Sequence, residues 1–218
     1  VSPSLELSHF EPIALADRDS LYERLYTYQP RTSELTFTNL FAWRNHYGFH
    51  WAIYQDWLLI LAANPDRPFA LPPVGPSPRT EVTRTLLHWL ETEYGDGAYI
   101  RRADERLAAE LEGNPIFESE ADRDQFDYVY PTEQLIALQG RDLHAKRNYL
   151  NRFEQEYNHS RFAPLESELI EECLDLAAYW CDQHRCDQDM SLLGEWEAVR
   201  EALTHWQELE LEGGVILI

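Results

Sequence analysis

The segment FHWAIYQDWLLILAA, residues 49–63, constrains this chain more than any other. Its second part, Trp57-Leu58-Leu59-Ile60-Leu61-Ala62-Ala63, is the longest apolar run in the sequence. A membrane helix needs about 20 such residues. The run therefore reads as a strand, paired in a hairpin with the residues from Phe49 onward, although Asp56-Trp57 is not one of the strong turn dipeptides. The chain has 218 residues, enough for one large domain or two small ones with a buried core. Eighteen basic residues face 39 acidic ones, giving a net charge of −21. Such a charge favours solubility and opposes diffuse attraction to nucleic acid or anionic lipid. Contact with either must come from a local basic patch. The three cysteines, Cys173, Cys181 and Cys186, lie in one acidic segment. An odd number without a framework spacing predicts reduced thiols and a cytoplasmic location. No secretory leader is visible.

Around the hairpin the elements follow in a definite order. Phe10–Leu15 reads as a strand and Asp17 caps a helix to about Tyr28. TFTNLFAWRNHYG, residues 36–48, is a second helical stretch that Gly48 stops. After the hairpin come a short strand at Phe69–Pro72, a proline-rich loop at Pro73–Pro78, and a helix from Thr80 to Tyr94 with Val82, Leu86, Leu87 and Leu90 inward. Strands are expected at Ala98–Arg101, Ile116–Glu120 and Phe126–Tyr130, with a helix at Asp104–Leu111. This order matches an α/β (α+β) fold of the acetyltransferase-like (GNAT) type, a mixed sheet flanked by helices.

The pattern then restarts. Gly140 precedes a helix from Arg141 to about Asn158. A strand at Arg161–Leu165 follows, then a helix from Ser167 to about Gln183 with Ser167 as its cap. A further helix spans Leu192 to about Leu209, and Gly213-Gly214 leads into the apolar run Val215–Ile218. The reading is tandem folds, with a first domain at residues 1–131 and the opening of a second at 132–218. A strand of four buried-type residues needs partners on both sides, so further residues are expected after Ile218 and the second fold is incomplete here.

Several stretches resemble one bacterial family: SELTFTNLFAWR at 33–44, DQFDYVY at 124–130, LQG at 138–140, HAKRN and NRF at 144–148 and 151–153, and Trp180-Cys181. It is the family of unknown function related to the C-terminal, soluble part of phosphatidylglycerol lysyltransferases. The FDYVY and KRN blocks carry the resemblance most specifically, and it extends over essentially the whole chain. It implies tandem acetyltransferase-like folds akin to the aminoacyl-tRNA-dependent Fem ligases. Membrane-bound relatives transfer lysine from lysyl-tRNA to phosphatidylglycerol. Family members continue for roughly 80 to 100 residues more, an ordinary remainder for such a domain.

The basic helix is the principal candidate site. Arg141, His144, Arg147, Asn148, Asn151 and Arg152 fall on one face, and Leu143, Leu150, Phe153 and Tyr157 on the other. Lys146, the only lysine, lies with the apolar group, where an inward ammonium needs a partner such as Asp127. The bland reading is a structural ion pair and a solvated polar face. The functional one is a phosphate-contacting patch formed by His144, Lys146, Arg147, Asn148 and Arg152, with Asp127 and Tyr128 orienting the helix. Residues 165–212 carry fourteen acidic residues against Arg185 and Arg200, which argues against a broad nucleic-acid surface.

Two other constellations carry less. In the loop Val74–Thr80, Pro76 and Pro78 remove two backbone donors, so a coenzyme A pyrophosphate cradle is not expected in the first fold. Cys181, His184 and Cys186 lack a fourth ligand at finger-like spacing, and no metal site is expected. The reading is an acyl- or aminoacyl-transferase-like protein that takes acyl-coenzyme A or aminoacyl-tRNA as donor, its site in the cleft between the halves. The alternative is a non-catalytic binding or scaffold module on a degenerate acetyltransferase fold. No transmembrane segment is expected in these residues.

Overall fold

The computed structural model describes residues 5–6, 9–64, 66, 68–95 and 97–218. At its centre β2 (Phe49–Tyr54) and β3 (Trp57–Ala62) pair antiparallel from Phe49↔Ala62 to Tyr54↔Trp57. The turn sits at Gln55-Asp56, one residue earlier than expected, with Gln55 in the left-handed region at φ 54°. β1 (Glu11–Pro12) joins β2 and β4 (Phe69–Ala70) joins β3, both antiparallel, giving the order β1-β2-β3-β4. The expected mixed sheet is thus antiparallel. Its parallel component is one bridge, Ala70↔Ile100, where Ala70 N–H donates to the Tyr99 carbonyl at 3.3 Å and Arg101 N–H to the Ala70 carbonyl at 3.0 Å.

Side chains alternate along a strand, and β3 uses both directions. Leu58, Ile60 and Ala62 enter one core layer with Leu21 and Leu25 of α1 (Arg18–Tyr28) and Leu40 and Phe41 of α2 (Phe37–Ala42). Leu59 and Leu61 enter another with Val82, Leu86, Trp89 and Leu90 of α4 (Thr80–Tyr94). Leu58, Leu59 and Ile60 are fully buried, and each such side chain stabilises the fold by about 1.5–3 kcal/mol. Local signals set the helix ends. Thr36 caps α2 by accepting from Asn39 N–H at 3.2 Å, and Asp104 caps α5 (Glu105–Leu111) through Leu107 N–H at 3.0 Å. Gly48 ends α3 (Arg44–Tyr47) at φ 60°; a Cβ there would lie 2.3 Å from Asn64 Oδ1.

Beyond residue 111 come α6 (Thr132–Ala137), α7 (His144–Glu156), β5 (Arg161–Pro164), α8 (Ser167–His184), α9 (Met190–Thr204) and β6 (Gly214–Leu217). β5 and β6 form a separate antiparallel pair, and α8 packs on α9. In turn α9 packs on α2 and α3. Arg44 Nη2 reaches Glu201 Oε2 at 2.6 Å, while its guanidinium lies 3.6 Å over the Phe41 ring. His205 meets Phe41 edge-on at 5.0 Å, and Leu209 is buried in the α1–α2 core layer. No described residue between 112 and 162 is buried.

Several expectations are corrected. Ile116–Glu120 and Phe126–Tyr130 are not strands: neither joins a ladder, and Tyr128 and Val129 are 77% and 88% exposed. Aromatic and β-branched residues favour a strand only where a neighbour supplies cross-strand contacts. Ser167 does not cap α8; it is the first helical residue, its Oγ accepting from Gln207 Nε2 at 2.9 Å. α9 starts at Met190 because Asp189 caps it, accepting from Ser191 N–H at 2.9 Å. The thiols are not all free, since Cys181 and Cys186 form a disulfide and Cys173 does not. Their Cα atoms are 5.2 Å apart across the end of α8, within ordinary bridging range.

The α9 contact makes one stability prediction. A Cβ on Gly194 would lie 2.2 Å from His46 Nδ1, and His46 is held between Trp43 and Tyr47. Gly194→Ala is expected to destabilise the protein by about 1–3 kcal/mol in urea titration, and His46→Ala in the same chain should recover much of that loss.

Candidate functional site

The basic helix α7 follows α6 through a short connection at residues 138–143. α6 ends at Leu138 in the left-handed region, φ 45°, and Gly140 follows at φ 91°. The last carbonyls of a helix lack intrahelical partners. Arg147, one turn into α7, donates Nη1 to the Leu138 carbonyl and, at 2.9 Å, to the Gly140 carbonyl. Its Nη2 lies 3.5 Å from His144 Nδ1, and Asn148 Nδ2 lies 3.3 Å from His144 Nε2. His144, Arg147 and Asn148 therefore form one cluster at the start of α7, with Arg147 Nη1 engaged by backbone.

The other expected site residues lie elsewhere. Arg152 stacks its guanidinium 5.2 Å over the Tyr149 ring, further along α7. Lys146 is exposed and has no ion pair among the described residues. That corrects its placement on an inward face. The apolar stripe of α7 is only partly covered, with Leu150 47% and Tyr157 38% exposed and no residue of the helix buried, so no buried side exists for Lys146 to enter. Asp127 does not meet Lys146 either. It accepts from the backbone N–H and Oγ of Ser33, both at 3.2 Å. Tyr128 is exposed, with the Arg123 guanidinium 6.0 Å from its ring and 5.0 Å from that of Phe126.

These contacts show what the 122–130 segment does. Arg102 donates Nε to Gln125 Oε1 at 3.2 Å and Nη2 to the Tyr47 hydroxyl at 3.1 Å, and pairs with Glu34 at 3.3 Å. With the Asp127–Ser33 contacts, side chains rather than a ladder hold this segment to the first half.

Sequence reasoning missed the most buried polar cluster. Arg79, 1% exposed, precedes α4. Its Nε and Nη2 donate to Glu110 Oε1 at 3.1 and 2.8 Å, and its backbone N–H to Oε2 at 2.6 Å. Ser77 Oγ adds a bond to Oε1 at 2.7 Å, and Arg79 Nη1 bonds the Tyr28 hydroxyl. Arg106 pairs with Asp104 at 2.6 Å and lies 4.5 Å over the Tyr28 ring. Burial pushes the Glu110 carboxyl up, but its hydrogen bonds from Arg79 and Ser77 outweigh that and hold it below the ordinary glutamate value. Burial likewise opposes the Arg79 charge, yet the Glu110 bond leaves its pKa raised. Burial is also the main reason the Tyr28 phenol is raised. The available signal was an arginine just before a helix; nothing in the sequence pairs it with Glu110.

Two grooves stand out among the described residues. One, about 270 Å³, is lined by Arg18, Tyr22, Tyr26, Leu35, Phe37 and Glu210 among others. The second, about 420 Å³, lies between α8 and α9 and includes Ile170, Glu171, Leu174, Leu203, Trp206 and Glu208. Neither contains a residue of the expected phosphate-contacting patch.

Comparison with known proteins follows the geometry. The model of one family, described as phosphatidylglycerol lysyltransferase, C-terminal, matches residues 26–218. A crystal structure of a conserved protein of unknown function from Bacteroides thetaiotaomicron VPI-5482 is similar, with TM-score 0.84 and 32% identity over 96% of this chain and 71% of that one. No curated protein matches. No helix among the described residues is long and apolar enough to cross a membrane.

Two partly buried carboxylates set a pH dependence. Glu110 and Glu201 both have folded-state pKa values below the ordinary one, Glu201 because the Arg44 bond and the nearby His205 and Arg200 charges outweigh its burial. Their stabilisation is therefore present above an unfolded glutamate pKa of about 4.3 and is lost as pH falls through the lowered values. Thermal unfolding followed from pH 7 downward should show that loss. Glu110→Gln should flatten its acid limb, and Arg79→Met, which leaves a partly buried carboxylate unpaired, should cost roughly 3–5 kcal/mol.

Proposed function

The chain belongs to the family of phosphatidylglycerol lysyltransferase C-terminal domains, and from that premise we propose that it is an acyl- or aminoacyl-transferase-like protein. The family match over residues 26–218 is the observation that carries this reading. The protein is read as a cytoplasmic pair of acetyltransferase-like units, residues 1–131 and 132–218. Acyl-coenzyme A or an aminoacyl-tRNA is the donor class. In such chemistry an amine attacks an activated carbonyl, and the protein positions both partners and stabilises the developing oxyanion.

Within this reading the α7 residues take different parts. Arg147 is engaged with the Leu138 and Gly140 carbonyls, so it is a positioning residue for the α6–α7 connection. Lys146 and Arg152 keep exposed cationic groups and are the residues available to a donor phosphate, with His144 and Asn148 alongside. Asp127 and Tyr128 belong to the tethered segment that precedes α6. The second reading, a binding or scaffold module without catalysis, is favoured by the engagement of Arg147 and Asp127 in internal bonds.

Thermal shift with coenzyme A, an acyl-coenzyme A and an aminoacylated tRNA separates the two. A donor should raise Tm, and Lys146→Ala/Arg152→Ala should lose most of that shift while unfolding at the unliganded wild-type temperature. Absence of a shift with every donor would overturn the transferase reading in favour of the scaffold.

A further inference from the structure

We propose that the cradle at the start of α4 is an oxyanion-binding site that the chain occupies with its own Glu110. The inference stands apart from the proposed transferase reading. It concerns the first half and excludes that half as the place where a donor phosphate binds.

The argument starts from the donors. One carboxylate receives the Arg79 guanidinium through two nitrogens, the Arg79 backbone N–H and the Ser77 hydroxyl, at 2.6 to 3.1 Å. A buried arginine fork, a helix-terminal N–H and a hydroxyl are the groups that bind phosphate oxygens in proteins. Arginine suits this task because its fork is rigid and always charged. The cradle is also held in shape without Glu110. Trp57 Nε1 donates to the Pro76 carbonyl at 3.0 Å, and Val74 exchanges both backbone bonds with Leu58, at 2.8 and 3.0 Å.

Charge points the same way. Arg79 and Arg106 flank Tyr28, and Asp104 and Glu110 balance them. Without Glu110 the cluster holds one unbalanced cation in a chain of net charge −21. Arg106 Nη2 is buried with no partner, a spare donor one turn along α5 from Glu110. Glu110 itself is displaceable in principle. It sits near the end of the seven-residue α5, beyond which no described residue up to 162 is buried. In the folded chain, however, its carboxylate fills the donors, and a phosphate has no place to enter.

Inorganic phosphate is the probe, with chloride at matched ionic strength as reference, in thermal unfolding of the full chain. Glu110→Ala should gain about 5 °C or more in Tm at phosphate a hundredfold above its dissociation constant, beyond any shift of wild type. Glu110→Gln, which keeps the cradle filled, should behave as wild type. If Glu110→Ala does not fold in chloride, recovery of its helical circular dichroism in phosphate supports the proposal, and continued failure overturns it. An equal phosphate shift in wild type, or none in a folded Glu110→Ala, also overturns it. A donor shift that survives in wild type while phosphate leaves Glu110→Ala unmoved would sink this inference and leave the transferase reading standing.

Discussion

The Arg79–Glu110 pair is the constraint on which the first half depends. A guanidinium that is 1% exposed persists in an apolar interior only if its charge is matched and its N–H groups are bonded. Meeting those demands fixes several elements at once. Arg79 is the residue before α4, Glu110 is on α5, Tyr28 ends α1, and the loop that carries Ser77 is bridged to β3 through Val74 and Leu58. The apolar layers on either face of β3 supply most of the stabilisation by burial, but they are non-directional. The pair decides how α1, α4 and α5 meet the sheet, because a small displacement would strand buried charge.

A smaller pair of the same kind governs the second half. Arg44 and Glu201 link α3 to α9 at 2.6 Å, with side chains 20% and 13% exposed. Around them Phe41, His205, Gly194 and His46 allow the helices to approach closely. The packing of residues after 111 therefore concentrates on one face of α9 and on Leu209. The segments between, from the FDYVY stretch through α7, rely on isolated tethers such as Asp127 to Ser33 and Arg102 to Gln125. Such exposed contacts are individually weak, so this region has the physical character of low local stability.

The sequence was legible where the signal was local. The hairpin, the 80–94 helix and Gly48 as a helix stop could be read from apolar period and turn chemistry, and the structure has them within a residue or so. The 33–44 and FDYVY blocks led to the right family. Reading failed where the outcome depends on a neighbour. Phe126–Tyr130 has strand composition but no strand beside it, and Lys146 has an apolar helix stripe beneath it that is only partly covered. Arg79 and Glu110, 31 residues apart, carry no joint signature, and neither do Arg44 and Glu201. The cysteines misled because an odd count describes the chain, whereas bridging depends on the two Cα positions at the end of α8.

The division of labour among the α7 cations bears on what the helix can do. Arg147 Nη1, which already holds two carbonyls, cannot turn to a phosphate without releasing the end of α6, so Arg147 contributes shape more than affinity. Lys146 and Arg152 are exposed, and an exposed cation contributes little to stability. In the chain both are followed by a segment of fourteen acidic residues against two arginines, whose field repels polyanions that approach it. On the proposed transferase reading, a donor held by Lys146 and Arg152 is best served by a compact phosphate at α7 with its remaining bulk away from the acidic 165–212 segment. That condition admits the terminal phosphate of a coenzyme or one end of a tRNA, and it disfavours a duplex laid along the surface.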